Sequence, residues 1–172
     1  NSTQLNNGRE WHVLSHNVRG INSSTRWNSV SNSIRACGAD IICLQETKRE
    51  IFDDNYLGNF CAPIYDKFVF IPSVGASGGS IIIWQSCKHD GSVVFQNNYA
   101  QTVKFLSKTS GDSWFLTNIY GPCTYQGKLD FLLWFKNICM PQDVLWLIVG
   151  DFNLIRSEEN INKPGGDITL MM

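Results

Sequence analysis

Asp151 and Asn153 stand at the end of an apolar run, Leu145-Trp146-Leu147-Ile148-Val149, which Gly150 closes. Five apolar residues without helical spacing predict a strand buried on both faces. Period-2 geometry puts the carboxylate and the amide on one side of that strand's exit, with Phe152 turned the other way into the core. Such groups at the mouth of a buried strand are costly unless they bind something. Water, a metal ion or a phosphate are the partners on offer. Polar residues mark three further predicted strand exits, at Asn17, Glu46 and Tyr120.

Hard divalent cations such as Mg²⁺ take oxygen ligands, one or two carboxylates among them, and keep several waters. Glu46 is the ligand candidate, with Asn17 beside it if their strands are neighbours. Asp151 suits a general base toward a water, and Asn153 a group that orients that water or the phosphate. Tyr120 suits a hydrogen bond to a phosphate oxygen or help for the leaving group. Each residue also has a plainer reading. Asp151 and Asn153 fit a turn after a strand, Glu46 a solvated strand exit, and Asn17 the Val18-Arg19-Gly20 loop. Tyr120 fits a half-buried packing tyrosine. Arg19, Lys48 and Arg49 can touch phosphates but fit solvated faces equally well.

The elements that must position these residues follow from the pattern. Trp11 to Asn17 predicts a first strand, and Ser23 or Ser24 a helix cap. Trp27, Val30, Ile34 and Cys37 then recur at helical spacing up to Gly38. Ile41-Ile42-Cys43-Leu44 predicts a second buried strand, so the opening resembles a βα unit with its ligand site at the strand ends. Short strands are predicted over 65–72, 79–84, 92–95, 101–106 and 113–120, separated by turn-forming clusters. Gly75 to Gly79 reads as a flexible loop. Between Gly127 and Cys139 an apolar stripe of Phe131, Trp134, Phe135 and Ile138 predicts a helix, ended by Pro141. Residues 1–9 read as a disordered tail, and 10–172 as one domain without repeats or linkers.

The bulk numbers set limits. At 172 residues, 43% hydrophobic and 12% aromatic, the chain fits one globular domain with a substantial core and excludes a disordered one. A net charge of −1 with pI near 6.3 argues against a strong non-specific electrostatic grip on nucleic acid. A nuclease that holds its phosphate through a divalent cation stays compatible. None of the six cysteines forms a C-x-x-C pair, which argues against zinc. The even count permits disulfides, but Cys37 and Cys43 sit in contexts that suit reduced core thiols. With no signal peptide and no run of membrane-spanning length, the expectation is a soluble intracellular protein without a membrane partner.

Four motifs carry a resemblance: Ser15-His16-Asn17-Val18-Arg19-Gly20, Cys43-Leu44-Gln45-Glu46-Thr47-Lys48, Asn118-Ile119-Tyr120-Gly121-Pro122 and Val149-Gly150-Asp151-Phe152-Asn153. In this order they resemble the endonuclease/exonuclease/phosphatase family. Within it the match looks closest to the endonuclease domain of plant LINE-type (non-LTR) retrotransposons. Ser77-Gly78-Gly79 and Asn162-Lys163-Pro164-Gly165-Gly166-Asp167 strengthen that reading. The resemblance implies a four-layer α/β sandwich of two mixed β-sheets with flanking helices. It implies Mg²⁺- (or Mn²⁺-) dependent phosphodiester cleavage, here the nicking of DNA, in the nucleus if the element is active. It places Asn17 and Glu46 at the metal, Tyr120 at the phosphate, Asp151 at the attacking water and Asn153 beside it. Two departures follow. His16 stands where the family is usually aromatic. The family's late Asp and closing Ser-Asp-His motif have no counterpart, since the histidines are His12, His16 and His89. The expectation is therefore an incomplete domain, with two alternatives to an active nuclease: a catalytically inactive remnant, or a phosphatase of the same fold.

Overall fold

The computed structural model describes residues 11–139 and 143–154. Eight strands form two four-stranded mixed sheets among these residues. The first has the order β1 (Val13–Asn17), β2 (Ile41–Gln45), β4 (Ser77–Trp84), β3 (Lys67–Val74); the second runs β5 (His89–Gln96), β6 (Ala100–Ser107), β7 (Ser113–Tyr120), β8 (Leu145–Asp151). Each sheet holds one parallel pair, β1 with β2 and β7 with β8, and its other pairings are antiparallel.

Three apolar layers explain the packing. Between the sheets, Ile41, Cys43 and Ile82 meet Val103, Phe105, Trp114 and Leu116, and Trp11 stacks on Trp114 with ring centroids 4.6 Å apart. Helix α1 (Ser24–Cys37) covers the outer face of the first sheet, laying Val30 and Ile34 on Ile42, Leu44, Ile81 and Ile83. Helix α3 (Tyr125–Lys136) covers the second, where Phe131 packs on Ala100 and Ile119. Helix, sheet, sheet, helix is the four-layer α/β sandwich expected.

Local signals account for the helix ends. The Ser23 side chain accepts from Arg26 N–H, and Gly38 closes α1 in the left-handed region at φ 58° with its N–H on Ile34 O. Thr124 caps α3, which starts at Tyr125, two residues before the predicted Gly127, and ends at Lys136, short of the predicted Cys139. A four-residue helix, α2 (Asp54–Leu57), capped by Asp53, was not foreseen.

Several expectations need correction. The run 145–149 is a strand but is not buried on both faces: Leu145 is 37% and Leu147 39% exposed. β8 lies at the edge of its sheet among the described residues, so no neighbouring strand covers that side. Gly75 to Gly79 is not a flexible loop; Gly75 and Ala76 make the tight turn between β3 and β4, and Ser77 already pairs with Val74. Strand β5 is longer than 92–95 and carries an irregularity between Val93 and Phe95. All six cysteines are free; Cys43 and Cys61 are buried, whereas Cys37 is exposed rather than a core thiol. The 1–9 tail, Pro141 and the Asn162–Asp167 motif lie outside the described residues. No helix among the described residues is long and apolar enough to cross a membrane.

Candidate active site

The carboxyl ends of the two parallel pairs converge on one rim of the sandwich. Asn17 is the last residue of β1 and is paired with Gln45, the last of β2, so Glu46 follows directly beside it. Tyr120 is the last residue of β7 and is paired with Asp151, the last of β8. β1 and β2 both pack against β8 across the sandwich. The rim therefore unites Asn17, Glu46, Tyr120, Asp151 and Asn153, all five residues singled out from the sequence.

Asp151 is fixed from two directions. Asn17 Nδ2 donates to its Oδ2 at 2.5 Å, and the backbone N–H of Asn153 donates to its Oδ1 at 3.0 Å. The first bond joins residues 134 apart in sequence, tying the two sheets at the mouth. Asn17 Oδ1 accepts from Arg19 N–H at 3.0 Å. This is an Asx turn, so the plain loop-stabilising role foreseen for Asn17 coexists with its place in the site. Asn153 Nδ2 donates to Gly121 O at 2.5 Å, which orients its amide against the turn after β7.

Glu46 and Asn153 both lie in the left-handed region, at φ 54° and 51°, and so does Lys48 at 53°. Non-glycine residues there cost of order 1–3 kcal/mol each. They persist because the surrounding backbone is over-determined: Gly20 N–H donates to Glu46 O at 2.7 Å, and Lys48 N–H to Gly78 O at 2.9 Å. Gly79, at φ 83°, has no room for a side chain, since a Cβ would sit 2.4 Å from Thr47 Oγ1. Gly150 is similarly required, because a Cβ there would strike Ile119 O at 1.9 Å.

The charges are unlike at close range. Lys48 Nζ lies 3.1 Å from Glu46 Oε1. The Tyr120 hydroxyl is pushed up to about 12, first by burial and then by the negative charge of Glu46, with a side-chain hydrogen bond involving Asn153 acting the other way. Tyr120 is thus a neutral phenol at ordinary pH and a hydrogen-bond donor. His16, half-buried on β1, has its affinity for a proton lowered by burial and by Arg26, which leaves it neutral rather than a cation at the rim.

Two residues of the site's support were missed. Gln45 Nε2 donates to Asn118 Oδ1 at 2.7 Å, and Asn118 Nδ2 reaches Leu44 O and Ile81 O, each at 3.3 Å. Both side chains are buried between the sheets, directly below Glu46 and Tyr120. The available signal was an amide interrupting each apolar strand, two residues before Tyr120 in one case and one before Glu46 in the other.

The comparisons with known proteins bear on the fold and the family. A family model described as the endonuclease/exonuclease/phosphatase family matches residues 14–166. The fold resembles an AP endonuclease from Archaeoglobus fulgidus, at 18% identity and a TM-score of 0.61, covering 90% of this chain and 62% of that one. It also resembles D. rerio TDP2 complexed with a single-strand DNA product, at 16% identity, TM-score 0.55, and 83% and 60% coverage. A third similar structure is the mannosyl-6-phosphatase Bt3783 of Bacteroides thetaiotaomicron, at 15% identity, TM-score 0.59, and 84% and 66% coverage. The chain thus spans less than two thirds of each of these structures. No curated protein matches the chain significantly. With a family model covering most of its length and a site assembled from that model's span, this chain belongs to the endonuclease/exonuclease/phosphatase family.

Proposed function

We propose that the chain is a divalent-metal-dependent phosphodiesterase that nicks DNA, in the manner of a LINE-type retrotransposon endonuclease domain. The observation that carries the reading is the clasp of Asp151 between Asn17 Nδ2 and Asn153 N–H, beside Glu46 and a protonated Tyr120. The retrotransposon branch rests on the order and wording of the motifs, and a nuclear site of action follows from it.

The residues fit a hard cation. Glu46, Asp151 and Asn17 offer only hard oxygen donors on this rim, and the Lys48 ammonium already stands at Glu46 as a positive charge. No group of three or more His, Cys, Asp or Glu side chains gathers among the described residues. Such a site suits Mg²⁺ or Mn²⁺ held by one or two carboxylates and waters, not a dedicated cage. Glu46 and Asn17 would hold the ion. When bound, it would neutralise charge on the phosphate.

The remaining roles belong to the chain. Asp151, its carboxylate oriented by two donors, takes the proton of the attacking water. Asn153 sits where it can hold that water or a phosphate oxygen. The Tyr120 phenol donates to a phosphate oxygen as negative charge builds there. A second reading, phosphomonoester hydrolysis at the same rim, is favoured by the mannosyl-6-phosphatase among the similar structures.

Supercoiled plasmid incubated with Mg²⁺ or Mn²⁺, and with chelator, tests the proposal. Metal-dependent nicking that falls at least about 100-fold in Asp151→Ala, with the fold intact, is the expected result. Unchanged nicking in that variant sinks the assignment of Asp151. Phosphomonoester release without nicking favours the phosphatase, and inactivity in a folded chain favours the remnant.

A further inference from the structure

A second cleft opens beside the catalytic rim. It has a volume of about 500 Å³, is lined by Trp27, Lys48, Arg49, Ile51 and Tyr56 among others, and meets the rim at Lys48. Its walls come from α1, from the segment after β2 and from α2. The aromatic side chains are pinned by their polar ends: Trp27 Nε1 donates to Ile21 O at 2.6 Å, and Tyr56 Oη donates to the same carbonyl at 2.7 Å. The backbone beneath is pinned too. Asn22 Nδ2 donates to Lys48 O at 2.8 Å, and Ser73 N–H to Arg49 O at 2.9 Å.

Arg49 is the unusual member. Its guanidinium lies over the Tyr56 ring, 3.2 Å from the centroid, and 5.9 Å from that of Phe52. Its Nε is buried with no hydrogen-bond partner, and the guanidinium forms no ion pair among the described residues. Glu50 also lines the cleft and leaves Arg49 unpaired. A guanidinium stacked on a ring keeps its in-plane N–H edge available, a planar fork matched to two phosphate oxygens. A desolvated donor without an acceptor is unfavourable in the free protein. Arg49 lines the cleft, so an anion there supplies the guanidinium with the charge partner it lacks.

The position of the cleft says which anion. Lys48 belongs to both places, lining the cleft while its Nζ sits 3.1 Å from Glu46 Oε1. A phosphate ester of one phosphate, held at the rim, leaves Arg49 without a partner, whereas a continuing strand brings a second phosphate to it. We propose that the Arg49–Tyr56 cleft holds the backbone phosphate next to the scissile one, so that the substrate is a DNA strand and not a small phosphate ester. The proposal rests on the phosphoester-cleaving reading of the rim and deepens it.

The test is anisotropy of a labelled DNA duplex of about 20 base pairs, in chelator and across a salt series. The unaltered chain, Arg49→Ala and Arg49→Lys are compared, with thermal melting to show that each folds. Arg49→Ala should bind about 5- to 10-fold more weakly and lose about one unit of the log K against log salt slope. Arg49→Lys should recover the slope but not the full affinity, because it returns the charge without the fork. Unchanged affinity and slope in both variants overturn the subsite. Neither metal nor turnover enters this measurement, so its failure is distinct from failure of the catalytic reading. A chain that binds through Arg49 yet never nicks would lose its proposed activity and keep its subsite.

Discussion

β2 runs through the interior of one sheet and β8 along the edge of the other, and each delivers an acidic residue to the same site, Glu46 just past the end of β2 and Asp151 at the end of β8. Every residue of β2 is buried, between β1 and β4 in the sheet and between α1 and the second sheet across it. Among the described residues β8 has one neighbour, β7, and two of its leucines face outward. The site thus takes Glu46 from a position locked on all sides and Asp151 from one locked on one side. Cross-sheet hydrogen bonds compensate for the difference. Asn17 reaches Asp151 directly, and Gln45 reaches Asn118 one layer down. The teaching of the contrast is that a catalytic rim does not need two rigid strands if the rigid one holds the other.

The largest expected effect separates the two strands by stability. Ile42 is fully buried against α1, and Ile42→Ala should cost about 3–4 kcal/mol through lost burial and a cavity. Leu147→Ala, at a side chain 39% exposed, should cost less than about 1 kcal/mol. Urea unfolding of the two variants checks this. Equal losses would mean that β8 is covered as thoroughly as β2, and the contrast would dissolve.

A smaller effect tests the fastening between them. Gln45→Leu or Asn118→Leu alone leaves a buried amide short of its nearest partner, at about 1–3 kcal/mol. The double replacement removes both amides at once and should cost less than the sum of the singles, with a coupling of about 0.5–3 kcal/mol. Additive losses would show that the 2.7 Å contact carries no fastening energy.

How much of this was legible in the chain follows the same physics. The five rim residues could be found because strand exits are marked locally, by an apolar run that stops at a polar side chain. The strand at 145–149 was legible as a strand but not as an edge. An apolar run records that water is excluded from part of the strand, not how many strands lie beside it. The Gln45–Asn118 pair joins positions 73 apart, and the Arg49–Tyr56 stack depends on a four-residue helix too short for any periodicity. Such contacts are set by tertiary packing, and no local pattern announces them.

The smallest expected effect lies at the other end of the same sandwich, at one buried ring whose polar atoms are not fastened. His89 begins β5, is 3% exposed, and packs edge-on against Phe105 and Trp114 with both ring nitrogens unpartnered. Burial lowers its proton affinity, a nearby Asp40 opposes that shift, and Lys88 adds to it. The folded chain therefore binds fewer protons at His89 than the unfolded chain does. Its contribution to stability is full above the ordinary histidine value of about 6.5 and is lost as pH falls below it. Melting followed from pH 7.5 down to 5.5 should show a drop of about 2–4 °C that His89→Phe removes. A drop that survives the substitution would assign the acid sensitivity to the rim, where His16 also has its proton affinity lowered. The end that carries the site, not the opposite one, would then be the end that senses pH.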